Sequence, residues 1–74
     1  MQNVNLKQEV GERLKDARKT AHYTQAQIAK ELGMSQQQYS RFENGLFELN
    51  YSQIVFLCRK YDISADYLLG LTDY

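Results

Sequence analysis

Residues 24–45, TQAQIAKELGMSQQQYSRFENG, decide the fold of this 74-residue chain. Thr24 is followed three residues later by Gln27, and Ser35 is followed in the same way by Gln38. In such a capping box the hydroxyl accepts a hydrogen bond from a free backbone N–H at the start of a helix, and the glutamine reaches back to the cap. The stretch therefore predicts two short helices, each with its own start signal.

Gly33 lies where the first of these helices must end and the chain must turn sharply, which suits a residue with access to positive φ. Two helices joined by so short a turn form a helix-turn-helix unit, here over about residues 24–43. The second helix of such a unit has the shape to enter the major groove of DNA. The apolar positions predicted to pack the two helices are Ala26, Ile28, Ala29, Leu32, Tyr39 and Phe42.

Three further helices are predicted around this unit. The first begins after Asn5 and extends to about residue 19 or 20, because apolar residues recur there at spacings of three and four. Asn50 caps a fourth helix, and a short fifth helix begins after Ser64 and ends at Gly70. With no strand pattern, residues 1–74 are predicted to form one compact, all-α, five-helix domain. The predicted core faces of the first and fourth helices comprise Leu6, Val10, Leu14, Ala17, Ala21, Tyr51, Ile54, Val55, Cys58 and Tyr61.

The composition is that of a globular domain rather than a disordered or membrane-spanning chain. Hydrophobic residues make up 43% and charged residues 24%, so the chain can bury a core. No apolar run approaches the roughly 20 residues that span a membrane, and the amino terminus lacks a signal-peptide pattern. Cys58 is the single cysteine, which excludes an internal disulfide and fits a reducing compartment. We expect a cytoplasmic protein.

The net charge is zero, but the charges are unevenly distributed along the chain. Residues 13–41 contain six basic and two acidic side chains, whereas residues 46–74 contain two basic and four acidic side chains. Phosphate binding requires positive charge, and the basic part of the chain coincides with the proposed DNA-binding unit. The charge distribution therefore permits DNA binding.

From about residue 14 to residue 70 the chain resembles the Xre/Cro helix-turn-helix family, which includes the lambdoid phage repressors and Cro proteins. The similar segments are LKDARK, the stretch quoted above, and NYSQIVFLCRKYDISADYLLG with its Asp-Tyr-Leu-Leu-Gly ending. The resemblance implies a domain that binds operator DNA as a symmetric dimer, usually to repress transcription.

Gln36 and Gln37 are the residues most suited to contact bases, because they lie at the exposed start of the third helix. A glutamine amide offers the donor and acceptor that match N6 and N7 of adenine. In proteins of the Xre/Cro family the matching positions carry base contacts. Arg41 lies on the same general face and would contact either a guanine or a phosphate. The structural alternative is that the glutamines only solubilise the helix.

Contacts to the DNA backbone are implied mainly by the resemblance. Gln25, at the amino end of the second helix, would combine its amide with the positive end of the helix dipole to hold a phosphate. Ser35, Ser40 and Asn44 are weaker candidates, since Ser35 also acts as a cap and Asn44 as a turn residue.

A buried ion pair between Arg18 and Glu43 is also implied by the resemblance. It would tie the first helix to the end of the third helix and so fix the angle of the recognition helix. Removing one partner of a buried pair costs about 3–5 kcal/mol, because the other charge is left unpaired.

The loop after the third helix departs from the family pattern. Related proteins often place lysine or arginine there, whereas this chain has Leu46, Phe47 and Glu48. On a helical wheel, Phe56 is predicted on the solvent side of the fourth helix. Leu46, Phe47 and Phe56 are therefore candidates for a protein interface, used for dimerisation or for another partner.

No residues in the sequence suggest an enzyme, a metal site or a cofactor site. There is no pairing of nucleophile and base, and neither His22 nor Cys58 has neighbours at metal-ligand spacing. His22 replaces the glycine that many family members have after the first helix, and histidine is enriched at positive φ. The sequence thus predicts a double-stranded-DNA-binding transcriptional regulator, a dimeric repressor of a palindromic operator. The alternative is a protein-interaction module on the same fold, antitoxin-like or anti-regulator.

Overall fold

The computed structural model describes residues 5–73, which form five helices and no strand. In chain order they are α1 (Leu6–Thr20), α2 (Gln25–Leu32), α3 (Gln36–Glu43), α4 (Tyr51–Tyr61) and α5 (Ala65–Leu68). The predicted all-α fold with a helix-turn-helix at α2 and α3 is confirmed.

The predicted helix starts are confirmed by their hydrogen bonds. Thr24 Oγ1 accepts from the Gln27 N–H at 3.1 Å, and Gln27 Oε1 accepts from the Thr24 N–H at 2.8 Å. Ser35 and Gln38 form the same reciprocal pair at the start of α3. A third capping box, begun by Asn50, starts α4. Each box satisfies two backbone donors that the helix itself leaves free.

A residue with positive φ ends or closely follows every helix, and those after α3 and α5 are Gly45 and Gly70. Gly33 terminates α2 with φ of 73°, as the turn requires, and His22 follows α1 with φ of 66°. Asp62 ends α4 with φ of 55°, a position that the sequence analysis did not identify. Aspartate is among the few residues other than glycine that tolerate this region, so a short polar side chain after a helix was the available signal.

Each helix supplies one fully buried large side chain to a single core. These residues are Leu14, Ile28, Tyr39, Leu57 and Leu68, in the order α1 to α5. Burying an aliphatic side chain of this size contributes about 1.5–3 kcal/mol, so losing contact with any one helix would be costly for a domain this small.

Gly11 allows α1 to approach the end of α3 at very short range. A Cβ on Gly11 would lie 2.5 Å from the backbone oxygen of Glu43 and 2.6 Å from that of Phe42. Both atoms belong to backbone, which cannot move aside as a flexible side chain would. The position of the recognition helix therefore depends on the absence of a side chain at Gly11.

The predicted core face of α4 was partly wrong. Tyr51 is 88% exposed and Val55 46% exposed, whereas Leu57, which was not assigned to the core, is completely buried. Phe56 is half-buried and packs against the core rather than facing solvent. The buried stripe is centred on Leu57 and Tyr61, and Phe56 lies at its edge.

Two other predicted core residues are also exposed, Leu6 (51%) and Ala26. Leu6 and Tyr51 share a cause, since each is the first residue of its helix. Side chains of a helix lean toward its amino end, so those of the first residue project beyond the packed turns.

Candidate nucleic-acid interface

The exposed face of α3 and the start of α2 together form one polar surface. Gln25, Gln36, Gln37, Ser40 and Arg41 line the same shallow depression. Gln36, Gln37 and Arg41 are exposed, while Gln25 and Ser40 are half-buried. The structure thus brings together all three residues assigned to bases and two of the four assigned to phosphates; we call these five residues the α3 face.

Gln25 connects this face to the interior. Its Nε2 donates to Glu43 Oε1 at 2.9 Å, and its Oε1 accepts from Gln36 Nε2 at a longer 3.4 Å. The carboxylate of Glu43 therefore fixes which way the Gln25 amide points. The Gln36 amide retains its oxygen and a second N–H for an external partner.

Arg18 and Glu43 form the ion pair beneath this face. Arg18 Nε donates to Glu43 Oε2 at 2.7 Å and its Nη2 donates to Glu43 Oε1 at 3.1 Å, the two-pronged geometry of a strong arginine–carboxylate contact. Arg18 Nη1 also donates to the carbonyl oxygen of Tyr23 at 2.8 Å. Both side chains are buried. Through these three hydrogen bonds the pair joins α1, the segment before α2 and the end of α3.

Both charges of the pair are maintained by its hydrogen bonds. Burial by itself would raise the pKa of Glu43, but hydrogen bonds from Arg18, Tyr39 and Gln25 outweigh it, and the net pKa is lowered. The hydrogen bond to Glu43 raises the pKa of Arg18 against the opposing effect of burial. Glu43 is consequently ionised at neutral pH and able to hold Gln25.

Two buried tyrosines link α3 to α4 behind this pair. The hydroxyl oxygens of Tyr39 and Tyr61 lie 2.8 Å apart. Burial raises the pKa of Tyr61 to about 12 and raises that of Tyr39 further, so both remain protonated well above neutral pH. From the sequence, Tyr39 and Tyr61 were assigned only to the core, with no role for either hydroxyl.

Ser35, Ser40 and Asn44 make local contacts. Ser35 Oγ accepts from the N–H of Gln38 as the cap of α3. Asn44 follows the last residue of α3, and its Nδ2 donates to Ser40 Oγ at 3.2 Å. All three lie at or near the surface, and their contacts to phosphate stay predictions.

The carboxyl end of α3 carries an arginine in contact with an aromatic ring. Arg41 Cζ lies 5.6 Å from the centroid of Phe47, a cation–π distance. The spacing of Arg41 and Phe47 in the sequence does not reveal this contact.

The comparisons with known proteins give the family. A family model described as a helix-turn-helix domain matches residues 11–73. The chain belongs to the Xre-like helix-turn-helix family of DNA-binding domains.

Three curated relatives illustrate what this family member is similar to. The uncharacterized HTH-type transcriptional regulator YobD of Bacillus subtilis is 37% identical over 84% of this chain and 55% of its own length. The HTH-type transcriptional regulator ImmR of the same organism is 36% identical over 82% of this chain and 48% of its own. Antitoxin PezA of Streptococcus pneumoniae is 33% identical over 82% of this chain and 39% of its own. The chain thus spans about half the length of the first two.

The suggested interface of Leu46, Phe47 and Phe56 is not one exposed patch. Leu46 and Phe47 are 60% and 52% exposed. Phe47 lines a groove with Leu6 and residues of α1, whereas the half-buried Phe56 lines a separate depression with Tyr51 and Val55. The exposed apolar residues of α4 are Tyr51 and Val55, because the helix is rotated relative to the predicted face.

Some of the basic side chains counted from the sequence form ion pairs with acidic side chains within this helix-turn-helix domain. Arg18 is neutralised by Glu43, and Arg13 Nη2 lies 3.5 Å from Glu9 Oε1. The positive surface is therefore smaller than the sequence count indicated. The exposed basic residues of the same region are Lys15, Lys19, Lys30 and Arg41.

Other kinds of site receive no support from residues 5–73. Within that range no three His, Cys, Asp or Glu side chains are grouped so as to hold a metal ion. None of the helices in the same range has the length and apolar character needed to cross a bilayer. Cys58 is half-buried, and burial raises its pKa, the opposite of what activates a thiolate.

Proposed function

We propose that this domain is the sequence-reading part of a transcriptional regulator, a repressor that binds a palindromic operator as a dimer. The observation that carries the proposal is the α3 face, where Gln36, Gln37 and Arg41 are exposed around one depression at the helix that enters the major groove in this family.

The chemistry of this face suits base edges. Each glutamine presents a donor and an acceptor that match adenine, and a good bidentate pair contributes about 1–3 kcal/mol of discrimination. Gln36 is partly ordered in advance by Gln25, which Glu43 holds in turn. Such ordering reduces the entropy lost when the side chain meets a base.

Contacts to phosphates would set the position of the domain on DNA. The free backbone N–H groups at the start of α2 lie beside Gln25, and a helix amino end attracts anions. Ser35, Ser40 and Asn44 would add neutral hydrogen bonds. Because few of these contacts are charged, we expect DNA binding with a shallow dependence on salt concentration.

A dimer would place two α3 helices in successive major grooves, with half-sites about 34 Å apart or a multiple of that distance. Repression would follow from occupying promoter DNA, which requires no catalytic residue. Two of the relatives are named as transcriptional regulators, in keeping with this proposal.

Selection from a random duplex DNA library tests the proposal. The wild-type domain should enrich a palindromic motif, and the double variant Gln36→Ala/Gln37→Ala should lose or relax it. Gln38→Ala is the matched control, since that neighbouring glutamine is committed to the capping box with Ser35. It removes only the hydrogen bond from the Ser35 N–H to the glutamine side chain, so it should lower stability by about 0.5–1.5 kcal/mol and retain the motif.

A protein-interaction module is the second candidate function. The exposed Tyr51 and Val55 on α4 form an apolar surface away from the α3 face, and one relative is named an antitoxin. No enriched motif at low or high salt would favour this function. Val55→Lys is then the informative variant in sedimentation, because Phe56 packs on the core and its replacement would disturb the fold.

A further inference from the structure

Phe47 contacts the one basic residue of the α3 face. Its side chain is 52% exposed, and its ring lies 5.6 Å from the guanidinium carbon of Arg41. The contact gives a large exposed side chain in the loop after α3 a specific neighbour on the helix.

The backbone after α3 brings the two residues together. The N–H of Leu46 donates to the carbonyl oxygen of Arg41 at 2.9 Å, and the N–H of Gly45 donates to that of Phe42 at 3.2 Å. These two bonds close the last turn of α3 and fold the chain back along it. Phe47 therefore lies beside the helix rather than extending away from it.

The contact with Phe47 leaves the N–H donors of the arginine available. A phenylalanine ring carries no oxygen or nitrogen acceptor, so it attracts the charge of the guanidinium without accepting a conventional hydrogen bond from its five N–H donors. Among residues 5–73, no acidic side chain forms an ion pair with Arg41 and no acceptor is bonded to its guanidinium. An ion pair would occupy the donors, whereas Phe47 restricts the side chain without using them.

We propose that Phe47 is a positioning residue that orders Arg41 for its contact with DNA. The ring holds the guanidinium at the carboxyl end of α3, so that less rotamer entropy is lost when its edge meets a guanine or a phosphate. This inference rests on the proposed function. It also explains how a loop without lysine or arginine contributes to DNA binding, since it acts through the arginine of the helix.

A purely structural role for Phe47 is the competing explanation. The ring also lines the groove formed with Leu6, Val10 and Ile54, so its removal will change apolar packing. The test must therefore separate an effect on Arg41 from an effect on the fold.

A double-mutant cycle makes this separation. The affinity for the duplex selected by the wild-type domain is measured for Phe47→Leu, Arg41→Ala and the combined variant. Leucine retains apolar volume in the groove but has no aromatic face. Phe47→Tyr keeps the ring and serves as the conservative control, and the thermal midpoint of each variant reports on the fold.

We expect Phe47→Leu to weaken binding roughly two- to five-fold when Arg41 is present, which corresponds to the worth of an exposed cation–π contact. The same change should have no effect in the Arg41→Ala background, and Phe47→Tyr should bind as the wild type does. Equal losses in both backgrounds, or no loss in either, would overturn the inference while leaving the proposed function intact. A wild-type domain that binds no duplex would overturn both.

Discussion

The exposed faces of α3 and α4 differ although both helices are amphipathic and share one core. On α3 the outward residues are polar, and Gln25 connects them to the buried Arg18–Glu43 pair. On α4 the outward residues include Tyr51 and Val55, which are apolar and exposed. The difference indicates that buried hydrogen bonds beneath the α3 face hold its side chains in a defined geometry, as contact with base edges requires. The α4 face has only exposed apolar surface.

The largest expected effect comes from removing the support behind α3. Arg18→Ala leaves Glu43 buried without its partner and frees the Tyr23 carbonyl oxygen, so we predict a loss of about 3–5 kcal/mol in the free energy of unfolding. Urea denaturation measures it.

The Lys60–Glu31 ion pair is the matched control for that variant. Its atoms are only 2.9 Å apart, but its side chains are 25% and 40% exposed. Glu31→Ala should therefore destabilise the domain far less than Arg18→Ala does. Equal losses for Arg18→Ala and Glu31→Ala would show that burial does not distinguish the two pairs.

Alkaline pH should weaken the link between α3 and α4. The pKa of Tyr61 is raised to about 12 in the folded state, so above pH 10 the unfolded chain releases this proton before the folded one does. The stability that Tyr61 contributes is then complete below about pH 10 and is lost as pH rises toward 12, by roughly 2–3 kcal/mol.

The check is to measure the free energy of unfolding of the wild type and of Tyr61→Phe from pH 8 to 11.5. This free energy should fall less with pH in the variant. Tyr51→Phe changes a tyrosine on the exposed face of α4, and its free energy of unfolding should fall with pH as that of the wild type does. A steeper fall in Tyr61→Phe than in the wild type would contradict the assignment.

Gly11→Ala probes how closely α1 must approach α3. In an ordinary helix interior, alanine is more stable than glycine by about 1 kcal/mol. Here the added Cβ meets the backbone oxygens of Phe42 and Glu43, so we predict a destabilisation of about 1–3 kcal/mol. Glu12→Ala, at the next and exposed position, should change stability by no more than about 0.5 kcal/mol. A stabilised Gly11→Ala would mean that the two helices are farther apart.

The smallest expected effect is on the outer face of α4. Val55→Ser should leave the free energy of unfolding within about 0.5 kcal/mol of the wild type, because its side chain contributes little to the core. The same variant should bind DNA as the wild type does. A large loss of stability in the isolated domain would show that this face is packed, in a dimer for example.

The sequence predicted best those features that depend on neighbouring residues. The three capping boxes and the turn at Gly33 rest on hydrogen bonds and dihedral angles within a few residues, and all of them were correct. The buried face of α4 was assigned less well, because a helical wheel ignores that Tyr51 is at the first turn and that the core lies under Leu57.

Features that depend on tertiary distance could not be predicted from local sequence, and the Arg18–Glu43 pair was expected only through the family resemblance. Glycine is unfavourable inside a helix, and the structure explains Gly11 only through the backbone of Glu43, which lies against it. Gln25 was assigned to a phosphate from its place on α2, but its contact with Glu43 requires the arrangement of α2 against α3. The contact between Phe47 and Arg41 likewise depends on the path of the loop.

Amide chemical-shift mapping with a short DNA duplex shows directly whether the α3 face is the surface that meets DNA. The duplex would carry the selected motif, and the titration would be done at low salt. We predict the largest shifts at Gln36, Gln37 and Arg41 and at the start of α2, with the signals of Tyr51 and Val55 unchanged. Shifts concentrated on α4, with α3 unaffected, would show that the α3 face is not the DNA-binding surface.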